Sequence, residues 1–173
     1  MKKYELTEET FTVFGKTLYR IRAVRDFGSV KTREFGGYIE KEENLSHFGN
    51  AWISGDARVS GDARVYGNAW VYGNARVSGD ARVSGNAWVY GNAEVFNTRH
   101  FFVQGPIGSR DGYVTFYRTK DDTVEVRCGC FSGSLQKFVD RVEETHGGSR
   151  YEKEYKLAAE LAKVCIRLEG ESR

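Results

Sequence analysis

The central third of the chain alternates small and β-branched residues with polar ones on a six-residue period. From Gly49 to Phe96 the pattern Gly-(Asp/Asn)-Ala-x-(Val/Ile)-x occurs eight times without a gap. Its Ala and Val lie two positions apart, which places both on one side of an extended chain, whereas a helix would space its apolar residues by about 3.6 positions. Each repeat therefore predicts a short strand. The Gly-(Asp/Asn) pair predicts a corner, because glycine tolerates a positive φ.

A longer period, equal to three repeats, lies over the shorter one. Trp52, Trp70 and Trp88 follow one another at this interval. The same interval separates the corner asparagines and two sets of arginines, namely Asn50, Asn68 and Asn86, then Arg58 and Arg76, then Arg64 and Arg82. Three repeats therefore make one coil of a triangular solenoid, and equivalent positions of successive coils stack at about 4.8 Å. The pattern predicts a tryptophan ladder on one outer face and arginine columns on the other two, with corner aspartates beside the arginines.

The repeat resembles the left-handed parallel β-helix of the hexapeptide-repeat superfamily. In that family an aliphatic residue and a small residue four positions later point into the prism, as Val59 and Ala63 would here. The lead-in segments 22–28, 36–40 and 44–46 are similar to those of a bacterial and phage group of hexapeptide transferases. The resemblance covers about residues 18–96 and implies a left-handed coil and a homo-oligomer, most commonly a trimer.

The repeat ends after Phe96, and two domains are predicted. The first, residues 1–98, is a β-helix with an N-terminal cap, to which the alternating runs Thr10–Phe14 and Leu18–Val24 contribute strands. The second, residues 99–173, is a small α+β domain of the order βββαα. The fold class is therefore mainly β, with three hexapeptides, or about 18 residues, in each coil.

The elements of the second domain follow from its apolar pattern and its cap residues. Three strands are predicted, at 101–104, 113–118 and 123–128, with a glycine-rich loop at 105–112. Ser132 or Ser134 would cap a first helix that ends near Glu144, and Ser149 would cap a second that ends near Leu168. A domain of this size has a small core, so we expect it to pack on the solenoid or on another subunit.

Composition limits the classes of partner. The 173-residue chain has 26 basic and 24 acidic residues, for a formal net charge of +2. This charge excludes a strongly acidic nucleic-acid mimic and makes nucleic acid an unlikely partner. No apolar stretch approaches the length that a membrane-spanning helix needs, and the N-terminus lacks the apolar core of a signal peptide. Three cysteines, an odd number, favour reduced thiols. We therefore predict no membrane contact and a cytoplasmic protein, in the host cytoplasm if a phage encodes it.

The loop Gly108-Ser109-Arg110 is the candidate for an anion site. Glycine lets backbone N–H groups approach a phosphate, serine adds a donor, and arginine can make a bidentate contact. Arg118 and Arg127 are close enough in sequence to join a basic pocket. The alternatives are an ordinary connection between strands for the loop and solvated strand positions for the two arginines.

The tryptophan ladder would be a large apolar surface if it were left in water. We predict that Trp52, Trp70 and Trp88 are covered, either by the C-terminal helices or by a subunit interface. The alternative is a stacking platform for bases or sugars.

Two further residue sets invite a catalytic or metal-binding interpretation. Acyltransferases of the resembled superfamily use a histidine as general base and bind coenzyme A, and His100 is the histidine best placed for that role. Cys128 and Cys130 alternate with Val124 and Val126 on one strand face, which favours core cysteines, so no metal is predicted.

These observations favour a non-catalytic binding protein of phage or mobile-element type. It would recognise a small anionic ligand, such as a nucleotide signal, or a host protein, to sequester the ligand or to modulate host defence. No cofactor is predicted for this function. One alternative is an acyltransferase that uses His100 and a coenzyme A ester, and another is a structural oligomer that serves as an interaction scaffold.

Overall fold

The computed structural model describes residues 2–169. It is mainly β, with a β-solenoid of about three turns and a smaller region of strands and helices at the C-terminal end. The chain forms two compact units, Met1–Asn92 with Phe96–Thr98, and Ala93–Val95 with Arg99–Arg173.

Eleven strands precede the C-terminal region. Three are long: β1 (Tyr4–Val13), β2 (Lys16–Ala23) and β3 (Phe35–Ile39). Eight follow, of two residues each: β4 (Trp52–Ile53), β5 (Arg58–Val59), β6 (Arg64–Val65), β7 (Trp70–Val71), β8 (Arg76–Val77), β9 (Arg82–Val83), β10 (Trp88–Val89) and β11 (Glu94–Val95).

The solenoid has the predicted period. Trp52 and Trp88 both pair with Trp70 in parallel strands, Arg58 pairs with Arg76, and Arg64 pairs with Arg82. Alanine and valine or isoleucine side chains fill the interior and are fully buried. All eight repeat glycines have φ between +60° and +75°. A side chain at Gly49 would meet the carbonyl oxygen of Gly67 at 2.5 Å, so this corner needs glycine both for conformation and for close stacking.

An amide ladder follows one corner of the solenoid. The Asn50 side chain donates to Asn68 at 3.3 Å, and the Asn68 side chain donates to Asn86 at 3.2 Å. Each amide offers both a donor and an acceptor, so identical residues can bond to one another in a column. The recurrence of asparagine once in each coil thus has a direct physical cause.

Side chains of the lead-in segment, by which we mean the chain before Gly49, cap open backbone carbonyls of the first coil. Within the repeat, alanine carbonyls accept from N–H groups of the preceding coil, as Ala69 O does from Trp52. In the first coil the lead-in backbone fills this role for Ala57, through the N–H of Tyr38, but not for Ala51 or Ala63. The ammonium of Lys3 donates to Ala51 O at 2.7 Å, and the amide of Asn44 donates to Ala63 O at 2.9 Å. The two carbonyls hold the same position in their repeats. Both capping side chains are buried, which protects this end of the solenoid from further strand pairing.

The N-terminal cap is a long hairpin that joins the solenoid through β3. Strands β1 and β2 are antiparallel, β2 pairs with β3, and β3 pairs in parallel with β5. Tyr38 pairs with Arg58 and Leu45 with Val65, so each of these pairs is two positions further apart along the chain than a pair within the repeat, because the lead-in turn is longer. The predicted cap strands are confirmed, although both begin earlier than the predicted alternating runs and end one residue sooner.

The C-terminal unit contains a four-stranded antiparallel sheet in the order β12-β13-β14-β15 and two helices. Their bounds are β12 Phe101–Ile107, β13 Gly112–Arg118, β14 Val124–Cys128, β15 Phe131–Ser134, α1 Leu135–His146 and α2 Arg150–Cys165. Ser149 is the N-cap of α2, as predicted, and Ser134, one of the two predicted candidates, is the N-cap of α1. Each side chain accepts from a backbone N–H three residues later. The core includes Val114, Phe116 and Phe138.

Two predictions for this unit were wrong. The order is ββββαα, since β15 follows β14 directly after a tight turn at Gly129, whose φ is +55°. The segment 105–107, assigned to a loop, continues β12, and Ile107 pairs with Gly112 after a register shift. Glycine and proline gave the sequence a loop-like composition there, yet both are tolerated on an edge strand.

Candidate functional site

The predicted anion loop is a tight turn between β12 and β13. The Gly108 N–H, which was expected to approach a phosphate, donates instead to a Glu154 carboxylate oxygen at 2.6 Å. A side chain at Gly108 would lie 1.9 Å from the Tyr155 hydroxyl oxygen, so this glycine is required for close contact with α2. Ser109 and Arg110 are exposed at the turn. The chain's own carboxylate thus occupies one donor of the proposed anion site.

Arg118 lies away from that turn. It ends β13, whereas Gly112 begins it, so about 20 Å of extended chain separates the two. Its side chain is 3% exposed and forms ion pairs with Asp122 at 2.7 Å, Glu169 at 3.0 Å and Glu94 at 3.7 Å. The Arg118 contacts also help to hold the pKa of Asp122 below its usual value, after the larger effect of the Glu169 N–H. Arg118 therefore serves an internal charge cluster.

Arg127 lies in mid-sheet and does not complete a pocket with the other arginines. It pairs with Thr115 in the β13–β14 register, on the sheet face opposite Phe116 and Val126, which belong to the core. Its side chain is half-buried. The structure therefore keeps Ser109 and Arg110 together at one turn, while Arg118 is directed to the cluster at the other end of β13.

His100 is 4% exposed. Burial, and next the charge of Arg118, lower the pKa of His100, so the imidazole is held neutral. A neutral imidazole can accept a proton, but a buried one is poorly accessible to a substrate. His100 is therefore a packed, buried residue beside the ion-pair cluster of Arg118.

The tryptophan ladder is covered unevenly. Trp52 is fully buried, with its ring 5.3 Å from Phe27 and 6.4 Å from Tyr4, both edge-on. Trp70 is half-buried and Trp88 is 43% exposed. The lead-in segment covers Trp52, a possibility that the sequence analysis did not include. Tyr4 precedes the repeat by a long stretch of chain, so no local signal could have indicated this contact.

A different exposed surface was only partly anticipated from the sequence. We call it the Arg64–Arg82 face, and its members are Phe48, Arg64, Tyr66 and Arg82. Arg64 and Arg82 lie on paired strands about 4.8 Å apart. Backbone N–H groups of Ser46 and Asn50 donate to carbonyl oxygens of Val65 and Gly67 in the next coil, which brings the segment that carries Phe48 beside Tyr66. Phe48 is 82% exposed and Tyr66 is 41% exposed.

Corner aspartates were expected to relieve the repulsion between stacked arginines. Asp62 instead pairs with Lys41 at 2.9 Å. Lys41 is also the main cause that lowers the pKa of Asp62, and Arg64 contributes least. Within residues 2–169, neither the Arg64 nor the Arg82 guanidinium forms an ion pair or a hydrogen bond. The face therefore presents two adjacent, exposed cations without ion pairs in the described residues, near the exposed rings of Phe48 and Tyr66.

The described residues lack two other kinds of feature. They contain no group of three His, Cys, Asp or Glu side chains that could hold a metal ion. Neither α1 nor α2, the helices of the described range, is long and apolar enough to cross a membrane. Cys128 is half-buried, and burial raises the pKa of its thiol.

Comparison with known proteins concerns the solenoid. Five overlapping segments, 51–66, 57–73, 63–78, 69–85 and 75–91, match the YdcK beta solenoid repeat. No curated protein matches the chain. The matched segments cover less than half of the chain and extend over most of the predicted repeat, without indicating an activity. Residues 51–91 are thus similar to a β-solenoid repeat family, in agreement with the stacked parallel strands.

Proposed function

We propose that this protein is a non-catalytic binding protein that holds a small anionic ligand with a flat ring, such as a nucleotide, on the Arg64–Arg82 face. The observation that carries the proposal is the pair of exposed guanidinium groups, one strand apart and without a carboxylate partner in the described chain. Neighbouring cations repel each other, and a bound phosphate would relieve that repulsion while accepting charge-assisted hydrogen bonds.

The exposed rings of the face support a ligand with a ring. Tyr66 lies two positions after Arg64 on the same coil, which suits contact of both side chains with one ligand. Phe48, on the neighbouring lead-in segment, is a second exposed ring near the same coil. Base–aromatic stacking contributes about 1–3 kcal/mol for each base and tolerates differences in base identity. A phosphate on the arginines and a base on Tyr66 would use both chemistries.

The finer form of the proposal is a phage or mobile-element protein that sequesters a nucleotide signal or modulates host defence. It rests on the sequence resemblance described above. The Ser109–Arg110 turn stays a second candidate for the anion, but Glu154 already occupies the Gly108 N–H there. The acyltransferase alternative has less support, because His100 is almost fully buried.

Titration calorimetry with nucleoside mono-, di- and triphosphates and with the uncharged nucleosides tests the proposal. We expect phosphate-dependent binding that weakens at least tenfold in Arg64→Ala/Arg82→Ala, since a hydrogen bond to a charged group contributes about 1.5–3 kcal/mol. Tyr66→Ala should weaken binding of nucleotides more than binding of inorganic pyrophosphate. Arg110→Ala is the matched control and should bind normally. Binding that is lost only in Arg110→Ala would move the site to the turn, and no binding of any nucleotide would reject the proposal.

A further inference from the structure

The outer face of α2 carries an apolar stripe that the C-terminal unit leaves uncovered. We call Leu157, Leu161 and Val164 the α2 stripe, and these side chains are 69%, 47% and 81% exposed. Their spacing of four and then three residues is the spacing of a coiled-coil seam. The sequence pattern alone does not separate this stripe from the core face of the helix.

The core face of α2 is already occupied. Tyr155, Ala158, Ala159 and Ala162 are buried and belong to the core cluster of the C-terminal unit. The α2 stripe lies on the opposite side of the helix, since successive residues turn by about 100°. It leaves roughly 300 Å² of apolar surface in water, a size at which patches on monomers are often functional. A second apolar face on one short helix is suited to packing against another helix that has an apolar face.

We propose that the α2 stripe binds the α2 stripe of a second copy of this chain, with the two helices parallel. The stripe is self-complementary in the sense that its members have similar sizes and a regular spacing, so equivalent helices can interdigitate along it. This inference goes beyond the proposed ligand function and does not depend on it.

The charges beside the stripe favour the parallel arrangement. Lys153 and Glu154 lie on opposite flanks of the stripe near the helix start. In a parallel pair, Lys153 of one copy would approach Glu154 of the other at the same height. In an antiparallel pair, Lys153 would instead approach Arg167, beyond the helix end, and the like charges would repel.

The other charges on this side are paired within the chain. Glu154 accepts from the Gly108 N–H and lies 3.9 Å from Arg150, which is on the line of the stripe, so Lys153 of a partner would join an existing cluster. Glu160 and Lys163 form an ion pair with each other at 2.7 Å and so neutralise one another. Lys153 forms no ion pair within residues 2–169, which leaves it available to a partner. The area is below that of a standard stable interface, about 800 Å² for each partner. The association is therefore expected to depend on protein concentration.

Sedimentation equilibrium of the full chain over a wide concentration range tests the inference. The chain has a mass of 19.6 kDa, and we expect the average mass to rise well above this value with concentration. Leu157→Glu and Val164→Glu should each weaken association at least tenfold without a loss of folding, because both side chains are exposed. Phe14→Glu, at another exposed apolar position, is the matched control. A monomer at all concentrations, or equal association of the stripe variants and the parent, would overturn the proposal.

Lys153→Glu distinguishes the two orientations. In the parallel pair the substitution places two carboxylates together, and the dissociation constant should rise about two- to fivefold, the range of exposed ion pairs. In an antiparallel pair it would remove repulsion from Arg167 and tighten association. An unchanged or lower dissociation constant in low salt therefore contradicts the parallel arrangement.

Discussion

The solenoid and the C-terminal unit reach a stable fold by different means. In the solenoid, one six-residue motif is repeated, and each strand residue pairs with its equivalent in the next coil. In the C-terminal unit, stability depends on single contacts between unlike residues, such as Gly108 with Glu154 and Arg118 with Glu169. The solenoid can therefore be predicted residue by residue, whereas the C-terminal unit can be predicted by element but not by contact.

The difference extends to how each unit manages its charges. Arg64 and Arg82 of the solenoid are stacked, exposed and without partners in the described residues, while Arg118 of the C-terminal unit is buried among three carboxylates. Stacked surface arginines without ion pairs are available to a ligand, whereas a buried ion-pair cluster is suited to a structural role. Four substitutions and conditions sharpen this comparison.

The largest effect is expected for Trp52→Ala. Trp52 is fully buried beneath Phe27 and Tyr4, and such a truncation costs about 3–5 kcal/mol of unfolding free energy. Trp70→Ala should cost less and Trp88→Ala least, since cover decreases along the ladder. Urea denaturation measures the three values. Equal losses at all three positions would show that the lead-in segment does not cover Trp52.

Arg118→Met should destabilise the C-terminal unit by about 2–3 kcal/mol. Three carboxylates would lose their cation, although they keep some contact with water, so the cost falls below that of a fully buried pair. Arg110→Met, at an exposed turn, is the control and should melt like the parent. If Arg118→Met also melts like the parent, the cluster does not contribute to stability.

The burial of Lys3 leads us to expect that the free energy of unfolding rises with pH in the alkaline range. Burial, and next the nearby Arg25, lower the pKa of Lys3 to about 8 in the folded chain, against about 10.4 when unfolded. Below pH 8 the folded chain carries a charge that is costly to bury. Between these values the unfolded chain binds a proton that the folded chain does not, so unfolding free energy should rise with pH, by about 1–3 kcal/mol.

Chemical denaturation between pH 7.5 and 9.5 measures the slope, below the range where tyrosines ionise. Lys3→Met should flatten it and serves as the control. A slope that is unchanged in Lys3→Met would assign the effect to another group.

The smallest effect concerns the amide ladder. Asn68→Ala removes the middle member, which donates to one neighbour and accepts from the other, and should cost about 1 kcal/mol. Asn74→Ala, at an exposed corner outside this ladder, should cost less. Thermal melts of both variants measure the difference, and a larger loss for Asn74→Ala would argue against the ladder.

The candidate sites show how far sequence reasoning extends. The arginine columns were predictable from the three-repeat interval, because stacking in a solenoid follows from the period alone. The ion pair between Lys41 and Asp62, which leaves Arg64 without an ion pair, could not be predicted. Lys41 precedes the repeat, and its position depends on the longer lead-in turn. In the turn at Gly108, the sequence indicated the need for glycine but not its cause, which is contact with Tyr155.

By itself the sequence determined the coil, its interior, its columns and the N-cap of α2, and it limited the N-cap of α1 to Ser132 or Ser134. These features depend on alternation, on positive φ at glycine and on hydrogen bonds to residues a few positions away, all of which are local or strictly periodic. Tertiary structure alone decided that Lys3 and Asn44 cap the first coil, that Trp52 is buried by the lead-in segment, and that α2 has a second, exposed apolar stripe. Such contacts join residues with no fixed separation, so their energies depend on where the chain returns in space, which no local pattern records.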